Sequence, residues 1–460
     1  MKFALPFAKY LSTNPKLNPK ICIVGSGPAG FYAAQYMASR LQTAQIDIFE
    51  RLPVPFGLVR FGVAPDHADL KKCSNGFAKT ALLKNVRFAG NVGLGRDVSL
   101  KELKEAYNVV LLTYGVDDSL QFDVKGKNLG NVFQAKDFVG WYNGVPWNKE
   151  LPVDLSGDRA TVFGHGNVAI DVARILLSSI DKLKTTDITE HSLALLSKSK
   201  IKEVSLIGRR GPLQVSFTTK ELRELLNLKD CCNVWQPEYM LTVPEVVPLL
   251  VKPRKRLTEL MVQKFESRKD PQPDEKQLKM IFLRSPVEFL GDHKVKGVKL
   301  VINRLEGDDL LNKKAVSIDI DETVDTSLVV SSIGYKSIKV DNDIPFDGKK
   351  NIVRNTHGKV EDGVYVAGWL GRGAAGVLAH TMEHAFGVAS IIIKAIETEQ
   401  LTPKPGFDHV AKILEHKNVQ VVTWQDWLKI DEFERGEGQK VNKPREKVVD
   451  IEQMLKIAAS

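Results

Sequence analysis

Short apolar runs, each followed by glycines and then by a helical pattern, are the main feature of this 460-residue chain. Residues 20–24 (Lys-Ile-Cys-Ile-Val) predict a buried strand, and the glycine-rich residues 25–30 predict a tight turn. Residues 31–41 have the spacing of apolar positions typical of a helix, and residues 46–49 (Ile-Asp-Ile-Phe) predict a second strand. The pattern therefore predicts a β–turn–α–β unit near the N-terminus.

The same succession returns in the middle of the chain. Residues 160–163 predict a strand, residues 164–169 a turn and residues 170–178 a helix. A further strand at residues 204–207 ends at an Arg-Arg pair, and strand patterns continue to residue 333. Glycine-rich sequence then reappears at residues 363–376.

Two dinucleotide-binding folds, the first interrupted by the second, account for this order of elements. We therefore predict an α/β protein with two Rossmann-like domains. Residues 1–118 and 334–460 would form the two segments of one domain, and residues 119–333 the inserted domain. Residues 252–276 are charged, contain three prolines and are interpreted as a surface excursion.

The first glycine turn is followed by a carboxylate. In the pattern Gly-x-Gly-x-x-Gly, Gly25 makes the turn, Gly27 lets the backbone approach a pyrophosphate, and Gly30 lets the helix pack closely on the sheet. The residues between the last two glycines are Pro28 and Ala29. Glu50 ends the second strand, where a carboxylate accepts both ribose hydroxyls and repels a 2′-phosphate. The first site is therefore predicted to hold FAD or NAD and not NADP.

The second turn is followed by basic residues instead. Residues 164–169 (Gly-His-Gly-Asn-Val-Ala) follow Gly-x-Gly-x-x-Ala, in which alanine suits slightly wider helix–sheet packing. Arg209 and Arg210 follow the next strand, and their guanidinium groups would clamp a 2′-phosphate. The contrast between Glu50 and this arginine pair predicts FAD in the first domain and NADPH in the second.

Two glycine-rich segments are candidates for the walls of a flavin site. Residues 53–67 are too rich in proline and glycine for a regular strand or helix and suit the wall of a flat ring; a packed loop without a ligand is the alternative. Residues 363–376 predict a strand that ends in Trp369, which either covers the ring or is a core tryptophan. The helix expected from about Val377 would direct its N-terminus at the flavin.

Few side chains are candidates for carrying protons or electrons. His67 and Asp171 are the candidate proton carriers, although a favourable position in the first turn of a helix suffices to explain Asp171. No Cys-x-x-Cys motif is present, which argues against a redox-active disulfide and a zinc ribbon, and no metal site is predicted. The four cysteines, Cys22, Cys73, Cys231 and Cys232, are interpreted as inert thiols; a strained bond between the adjacent Cys231 and Cys232 is the alternative.

The charge balance narrows the possible partners. Lys+Arg number 65 and Asp+Glu 56, and the net charge of +9 favours an acidic partner, an anionic ligand or a membrane surface. No basic stripe is interleaved with aromatic residues, so nucleic acid is not predicted. No stretch reaches 18 apolar residues, which leaves at most peripheral membrane association. Residues 252–269 contain seven basic and two acidic residues and form either a docking patch or a solvated charged helix.

The N-terminal residues 1–20 contain four lysines and no acidic residue. Such a composition resembles the end of a mitochondrial transit peptide. A short basic tail without structure is the alternative, since no arginine precedes Arg40.

Residues 54–67 (Val-Pro-Phe-Gly-Leu-Val-Arg-Phe-Gly-Val-Ala-Pro-Asp-His) resemble the adrenodoxin reductases. So do the turn at residues 164–169, residues 208–212 (Gly-Arg-Arg-Gly-Pro) and the pair Gly368-Trp369. These enzymes are the mitochondrial ferredoxin–NADP⁺ reductases of the glutathione-reductase-like flavoprotein class. The resemblance extends from about residue 20 to about residue 450, and its motifs are together highly specific.

The resemblance implies FAD and NADP(H) as cofactors, an acidic 2Fe–2S ferredoxin as partner, and the mitochondrial matrix as location. It pairs His67 with Asp171 near the route to the partner, and it places the docking patch around Lys252 and Arg256. The implied FAD contacts are Ala29, Glu50, Leu58, Leu94, Trp369, Gly376, Val377 and Leu378. The implied NADP contacts are His165, Gly166, Asn167, Val168, Arg209, Arg210, Glu221 and Gly376. His165 replaces an expected glutamine, and Gly371 and Ala374 replace an expected lysine and proline.

The predicted reaction is hydride transfer from NADPH to FAD, followed by release of single electrons to the ferredoxin, which supplies mitochondrial cytochrome P450 or iron–sulfur cluster assembly. Without a cysteine pair as relay, the electrons leave from the flavin itself. One alternative is a flavin monooxygenase, in which reduced flavin reacts with oxygen. Another is a non-catalytic NADP-binding regulator, which would not be yellow when purified.

Overall fold

The computed structural model describes residues 18–460. The transit-peptide prediction falls on residues 1–20 and therefore lies outside the described residues, apart from its last three. All four cysteines are free thiols. No helix among the described residues is both long enough and apolar enough to cross a bilayer.

A six-stranded sheet is built from segments near both ends of the chain. Its central strand, Lys20–Val24, is parallel to Gln45–Glu50 on one side and to Val109–Leu112 on the other. A crevice opens at the carboxyl end of such a strand, and the first glycine turn lies there. In spatial order the strands are Lys359–Glu361, Val364–Val366, Val109–Leu112, Lys20–Val24, Gln45–Glu50 and Val86–Gly90.

A second six-stranded sheet, entirely parallel, is built from the middle of the chain. Arg159–Phe163 lies between Leu328–Ser331 and Glu203–Ile207, so the second glycine turn also follows a strand at the point where the strand order reverses. In spatial order the strands are Val132–Gln134, Leu328–Ser331, Arg159–Phe163, Glu203–Ile207, Lys276–Ile281 and Cys231–Trp235. The predicted α/β fold, with one Rossmann-like unit inserted in another, is confirmed.

Three smaller sheets complete the strands. Arg284–Gly291, Val295–Glu306 and Lys314–Asp325 form an antiparallel sheet, and Phe346–Asp347 pairs with Ile352–Val353. Asp118–Ser119 pairs with Tyr335–Lys336 where the chain leaves the first unit and returns to it. The two crossings lie close to the boundaries predicted at residues 118 and 333.

Helices cover both faces of the first sheet and one face of the second, whose other face packs on the antiparallel three-stranded sheet. The α-helices are Pro28–Ala38, Leu58–Phe61, Ala68–Lys71, Ser74–Ala81, Leu100–Ala106, Ala135–Asn143, Asn167–Leu177, Ile180–Leu183, Glu190–Leu196, Thr219–Leu226, Pro237–Met240, Val243–Val246, Arg254–Glu266, Trp369–Arg372, Leu378–Thr398, Phe407–His416, Trp424–Lys440 and Ile451–Ala459. Short 3-10 turns occur at Pro146–Asn148, Pro212–Gln214 and Val247–Leu249.

The first sheet separates two apolar cores. Ile21 and Ile23 point to one face and Cys22 and Val24 to the other, because successive side chains of a strand alternate. Trp424 and other residues of the C-terminal helices pack on the first of these faces. The C-terminal segment is therefore part of the first unit.

The surface excursion predicted at residues 252–276 is wrong in its central part. Arg254–Glu266 is a helix, and its apolar side chains at helical spacing are buried: Leu257, Leu260, Met261 and Phe265. Pro253 immediately precedes the helix, and the other prolines of the segment follow it, so none interrupts its hydrogen bonds. Arg256, Glu259 and Glu266 are exposed on the other side of the helix, which its apolar side anchors to the core.

Candidate functional site

The first glycine turn has the shape that the sequence predicts. Gly25 has a φ of +108°, and a Cβ on Gly30 would meet the carbonyl oxygen of Gly25 at 2.1 Å. A Cβ on Gly27 would meet no atom within 4 Å. The helix begins at Pro28, three residues earlier than predicted, because proline is well suited to the first helical position. Open space therefore faces the N–H groups of a helix N-terminus, which suits a pyrophosphate.

Glu50 lies beside this turn and is buried. One carboxylate oxygen accepts hydrogen bonds from the Ser26 N–H at 3.0 Å and the Ser26 hydroxyl at 2.7 Å, and the other accepts one from the Leu52 N–H at 3.1 Å. A carboxylate has about four acceptor positions. Glu50 can therefore accept one ribose hydroxyl while keeping these bonds, whereas the sequence predicted two.

Residues 53–67 pack against the first glycine turn. The Phe56 N–H donates to the Ser26 carbonyl at 3.1 Å, and a Cβ on Gly57 would lie 3.1 Å from the Cα of Gly27. The prediction that this segment contains no helix is wrong, since Leu58–Phe61 forms a single helical turn after Gly57. Leu58 is half-buried there. Leu94 is also half-buried and packs on the core of the same unit.

The return segment closes the first site from the other side. Its strand ends at Val366 and not at Trp369, which instead begins a short helix. A Cβ on Gly368 would lie 2.7 Å from the Cβ of Ala29, so this segment directly contacts the first helix. The indole N–H of Trp369 is buried and has no hydrogen-bond partner among the described residues. The N-terminus of Leu378–Thr398 follows Gly376 and Val377.

Gly371 and Ala374 of this segment replace the lysine and proline expected from the family resemblance, and the structure explains the first of these two replacements. A Cβ on Gly371 would lie 3.0 Å from Val366 Cγ1, closer than ordinary contact, so glycine relieves crowding there. Nothing in the structure explains Ala374.

The second glycine turn repeats the first with different surroundings. Gly164 has a φ of +126°, and a Cβ on it would meet the Ser332 carbonyl oxygen at 2.2 Å. A Cβ on Gly166 would meet no atom within 4 Å. Asn167 begins the helix, and its side-chain oxygen accepts a hydrogen bond from the Thr218 N–H at 2.8 Å. Val168 follows, partly buried against the core of this unit.

The His165 side chain is engaged within the protein. Nε2 lies 3.1 Å from the Leu206 carbonyl oxygen, and the ring packs against Phe282 and against the position of a Gly208 Cβ. Burial lowers the pKa of His165 to about 4, so the imidazole is neutral. The departure from glutamine therefore fills a packing position beneath the turn.

Arg209 and Arg210 lie at the end of their strand without a carboxylate partner among residues 18–460. Arg209 is exposed and Arg210 is half-buried. Burial and then the charge of Arg209 lower the pKa of Arg210. An anion bound between the two guanidinium groups would relieve this repulsion.

His67 lies between the two units and contacts acidic side chains of the second unit. Its Nε2 is 2.6 Å from Glu224 Oε2 and 3.4 Å from Glu221 Oε2, and its Nδ1 is 4.0 Å from Asp171 Oδ1. Sequence reasoning identified Asp171 and Glu221 but missed Glu224, whose contact is the shortest. The available signal was the spacing of Glu221 and Glu224, which places them on one face of Thr219–Leu226.

Asp171 is held by Arg174 and not by a helix dipole. It is the fifth residue of Asn167–Leu177, beyond the first turn, so that explanation is wrong. Arg174 is fully buried and lies 2.8 Å from Asp171, and it also donates to both carboxylate oxygens of Asp66 at 2.7 and 2.9 Å. Burial raises the pKa of Asp171 to about 6, against the opposing charge of Arg174. Asp171 is therefore able to gain or lose a proton near neutral pH.

Three possible metal ligands lie within 4.8 Å of one another: a ring nitrogen of His67 and a carboxylate oxygen each of Asp171 and Glu221. This spacing suits a metal ion. However, the guanidinium of Arg174 already lies in this cluster, 3.6 Å from Glu221 and 2.8 Å from Asp171. A fixed positive charge among the acidic side chains fits a proton site better than a metal site.

A basic groove adjoins the acidic cluster along Thr219–Leu226, where Lys220 lies 3.9 Å from Glu224. Its volume is about 630 Å³, and its lining includes Lys220, Arg223, Arg256 and Glu259. Lys252 and Arg256 are exposed, as a docking patch requires. The sequence did not single out Lys220 and Arg223, because only the fold brings them beside residues 252–269.

Two glycine turns at the carboxyl ends of parallel strands, one beside a carboxylate and the other beside free arginines, define a pyridine-nucleotide-dependent flavoprotein reductase. Residues 23–86 match the NAD(P)-binding Rossmann-like domain family. Mycobacterium tuberculosis FprA in complex with NADPH is similar over 96% of this chain and all of that chain, with 36% identity and a TM-score of 0.91.

Curated relatives match nearly the whole chain. The mitochondrial NADPH:adrenodoxin oxidoreductases of Salvelinus fontinalis and Homo sapiens are 46% and 43% identical, over 97% and 98% of this chain and 93% and 94% of theirs. That of Arabidopsis thaliana is 40% identical over 98% of both chains. The chain belongs to the NADPH:adrenodoxin oxidoreductase family, and the resemblance found in the sequence is confirmed.

Proposed function

We propose that the protein takes hydride from NADPH onto FAD and passes single electrons to an acidic 2Fe–2S ferredoxin. The observation that carries this proposal is the opposite charge beside its two glycine turns, Glu50 at the first and Arg209 with Arg210 at the second. A carboxylate excludes a 2′-phosphate, whereas two unpaired guanidinium groups select one.

The residues of each site have separate tasks in this proposal. At the first site, the N-terminus of Pro28–Ala38 binds the pyrophosphate and Glu50 binds a ribose hydroxyl. Residues 53–67 and Trp369 exclude water from the ring. His67 and Asp171 hold a proton near the route of the electrons, with Glu224 orienting the imidazole. The flavin, when bound, supplies two-electron acceptance and one-electron release.

Coenzyme choice tests the second site. Arg209→Ala with Arg210→Ala should raise KM for NADPH about tenfold to a hundredfold and leave KM for NADH almost unchanged, since only NADPH carries the 2′-phosphate. Lys349→Glu with Lys350→Glu, an exposed pair elsewhere, should change neither value. Equal losses with both coenzymes would contradict the assignment of the arginines.

The helix Thr219–Leu226 supports docking of the ferredoxin at the basic groove. Lys220 and Arg223 line the groove, while Glu221 and Glu224 of the same helix contact His67. A partner seated in the groove would thus be one helix away from the junction of the two units. Attraction between exposed charged surfaces mainly speeds encounter and is screened over about 8–10 Å in physiological salt.

Charge reversal tests the docking surface. Lys252→Glu with Arg256→Glu should slow ferredoxin-dependent cytochrome c reduction strongly at low salt and less at high salt. Ferricyanide reduction by NADPH should be nearly unchanged, because a small acceptor does not need the groove. The Lys349→Glu, Lys350→Glu variant is the control for total charge. If both activities fall together, these residues stabilise the fold and the docking assignment is wrong.

The relatives compared above are named as mitochondrial proteins. We place this protein in the mitochondrial matrix, with at most peripheral contact with the inner membrane. Fractionation of mitochondria with carbonate washing tests this: the protein should be recovered in the soluble matrix fraction.

A further inference from the structure

A third arginine lies beside Arg209 and Arg210. Arg254 is the first residue of Arg254–Glu266, and this helix contacts the turn Pro212–Gln214, which follows the arginine pair closely along the chain. Burial and then the charge of Arg210 lower the pKa of Arg254. The three guanidinium groups therefore share one electrostatic environment.

Nothing in the described part of the chain compensates the charge of Arg254. Its Nη1 atom is buried and has no hydrogen-bond partner among those residues, and no carboxylate lies within ion-pair distance of it there. An unpaired buried donor costs free energy, more so when it is charged. The first turn of the helix also contains no acidic residue.

The position of Arg254 in its helix adds to this imbalance. The N-terminus of a helix carries a partial positive charge, so a cation there is unfavourable. Helix Arg254–Glu266 is 13 residues long, and the Lys255 N–H in its first turn already donates to the Val251 carbonyl oxygen at 2.9 Å, so the helix dipole rather than a set of free N–H groups favours an anion there. A compact anion would be stabilised by the helix dipole, by the unpaired guanidinium of Arg254 and by the neighbouring Arg210.

We propose that Arg254 is the third ligand of the 2′-phosphate of NADPH, together with Arg209 and Arg210. This inference rests on the proposed function, which assigns the arginine pair to that phosphate. A phosphomonoester has enough charge and enough oxygens to accept from several guanidinium groups at once.

The basic residues of this segment then serve two different ligands. Arg254 and Arg256 are two positions apart on a helix, about 200° around its axis, and therefore face in opposite directions. Arg256 is exposed beside the groove, whereas Arg254 is half-buried towards Arg210. Arg254 contributes to the positive charge of the segment but is not part of the ferredoxin docking patch.

Nucleotide binding by the FAD-loaded enzyme tests the proposal without measuring activity. Calorimetry would compare adenosine 2′,5′-bisphosphate with AMP, which lacks the 2′-phosphate. Arg254→Gln should weaken binding of the bisphosphate about tenfold or more and leave AMP binding unchanged. Arg254→Lys should recover part of the loss, since it restores the charge. Arg354→Gln, which removes an exposed arginine elsewhere, should affect neither nucleotide.

The Arg209→Ala, Arg210→Ala variant separates this proposal from the proposed function. If that variant loses the preference for the bisphosphate and Arg254→Gln keeps it, Arg254 is not a ligand although the coenzyme site is correct. If none of these variants loses the preference, both the coenzyme assignment and the role of Arg254 are wrong. The visible spectrum of the bound flavin verifies folding, and Arg254→Lys provides the test if the glutamine variant fails to fold.

Discussion

Substitution of Gly27 by alanine should separate binding of FAD from folding of the protein. Gly27 has φ −75° and ψ −175°, a conformation that alanine adopts without strain. Its added methyl group would meet no atom within 4 Å. That open space is where the first turn is proposed to receive the pyrophosphate, so the methyl would fit the empty protein and obstruct the cofactor.

The expected magnitudes follow from this geometry. Replacement of glycine by alanine stabilises the folded protein by about 0.4–1 kcal/mol, because the unfolded chain loses conformational freedom. At the position before a helix, glycine is preferred to alanine by a similar amount, so the two effects oppose each other. The free energy of unfolding of the cofactor-free protein should therefore change by less than about 1 kcal/mol. Crowding and lost backbone hydrogen bonds should weaken FAD binding by roughly 2–5 kcal/mol, more than about thirtyfold in Kd.

The assay is the FAD content after gel filtration, together with thermal unfolding of the cofactor-free protein. Gly166→Ala is the matched variant, since its methyl also meets no atom within 4 Å; it should retain FAD and lose NADP⁺ affinity. Gly30→Ala is the opposite control, because its Cβ would lie 2.1 Å from the Gly25 carbonyl oxygen and should prevent folding. Retention of FAD by Gly27→Ala at wild-type affinity would refute the placement of the pyrophosphate.

Three further variants address charged side chains. Glu50→Ala should weaken FAD retention in gel filtration by roughly 1.5–3 kcal/mol, and undiminished retention would exclude Glu50 as a ribose ligand. Since Asp171 has a raised pKa of about 6, the rate of flavin reduction by NADPH should change around that pH in the wild type, and Asp171→Asn should have a flatter profile. Burial lowers the pKa of Lys447 from 10.5 to about 7, so between these values the unfolded chain binds more protons than the folded protein. The free energy of unfolding should accordingly rise with pH above 7, by at most about 1.4 kcal/mol per pH unit, and Lys447→Met should lose this slope in denaturant titrations at several pH values.

Local features of this protein follow from the sequence alone. The two glycine turns require particular backbone conformations and close approaches that glycine permits, and the strands beside them are continuous apolar runs. Glu50 and the pair Arg209–Arg210 could be proposed as cofactor ligands because each lies at the carboxyl end of a strand that neighbours a glycine turn. Such features depend on residues close together along the chain or on one parallel strand pairing.

The contacts between the two units depend on the tertiary structure. His67 meets Glu224 across 157 positions, and Arg174 meets Asp66 across 108. The orientation of Thr219–Leu226 decides whether Glu224 contacts His67 or solvent. The orientation of Arg254–Glu266 decides whether Arg254 lies in the groove or near Arg210. A sequence specifies which faces of its helices are apolar, but the partner of a charged side chain depends on how those faces pack, and packing involves residues distant along the chain.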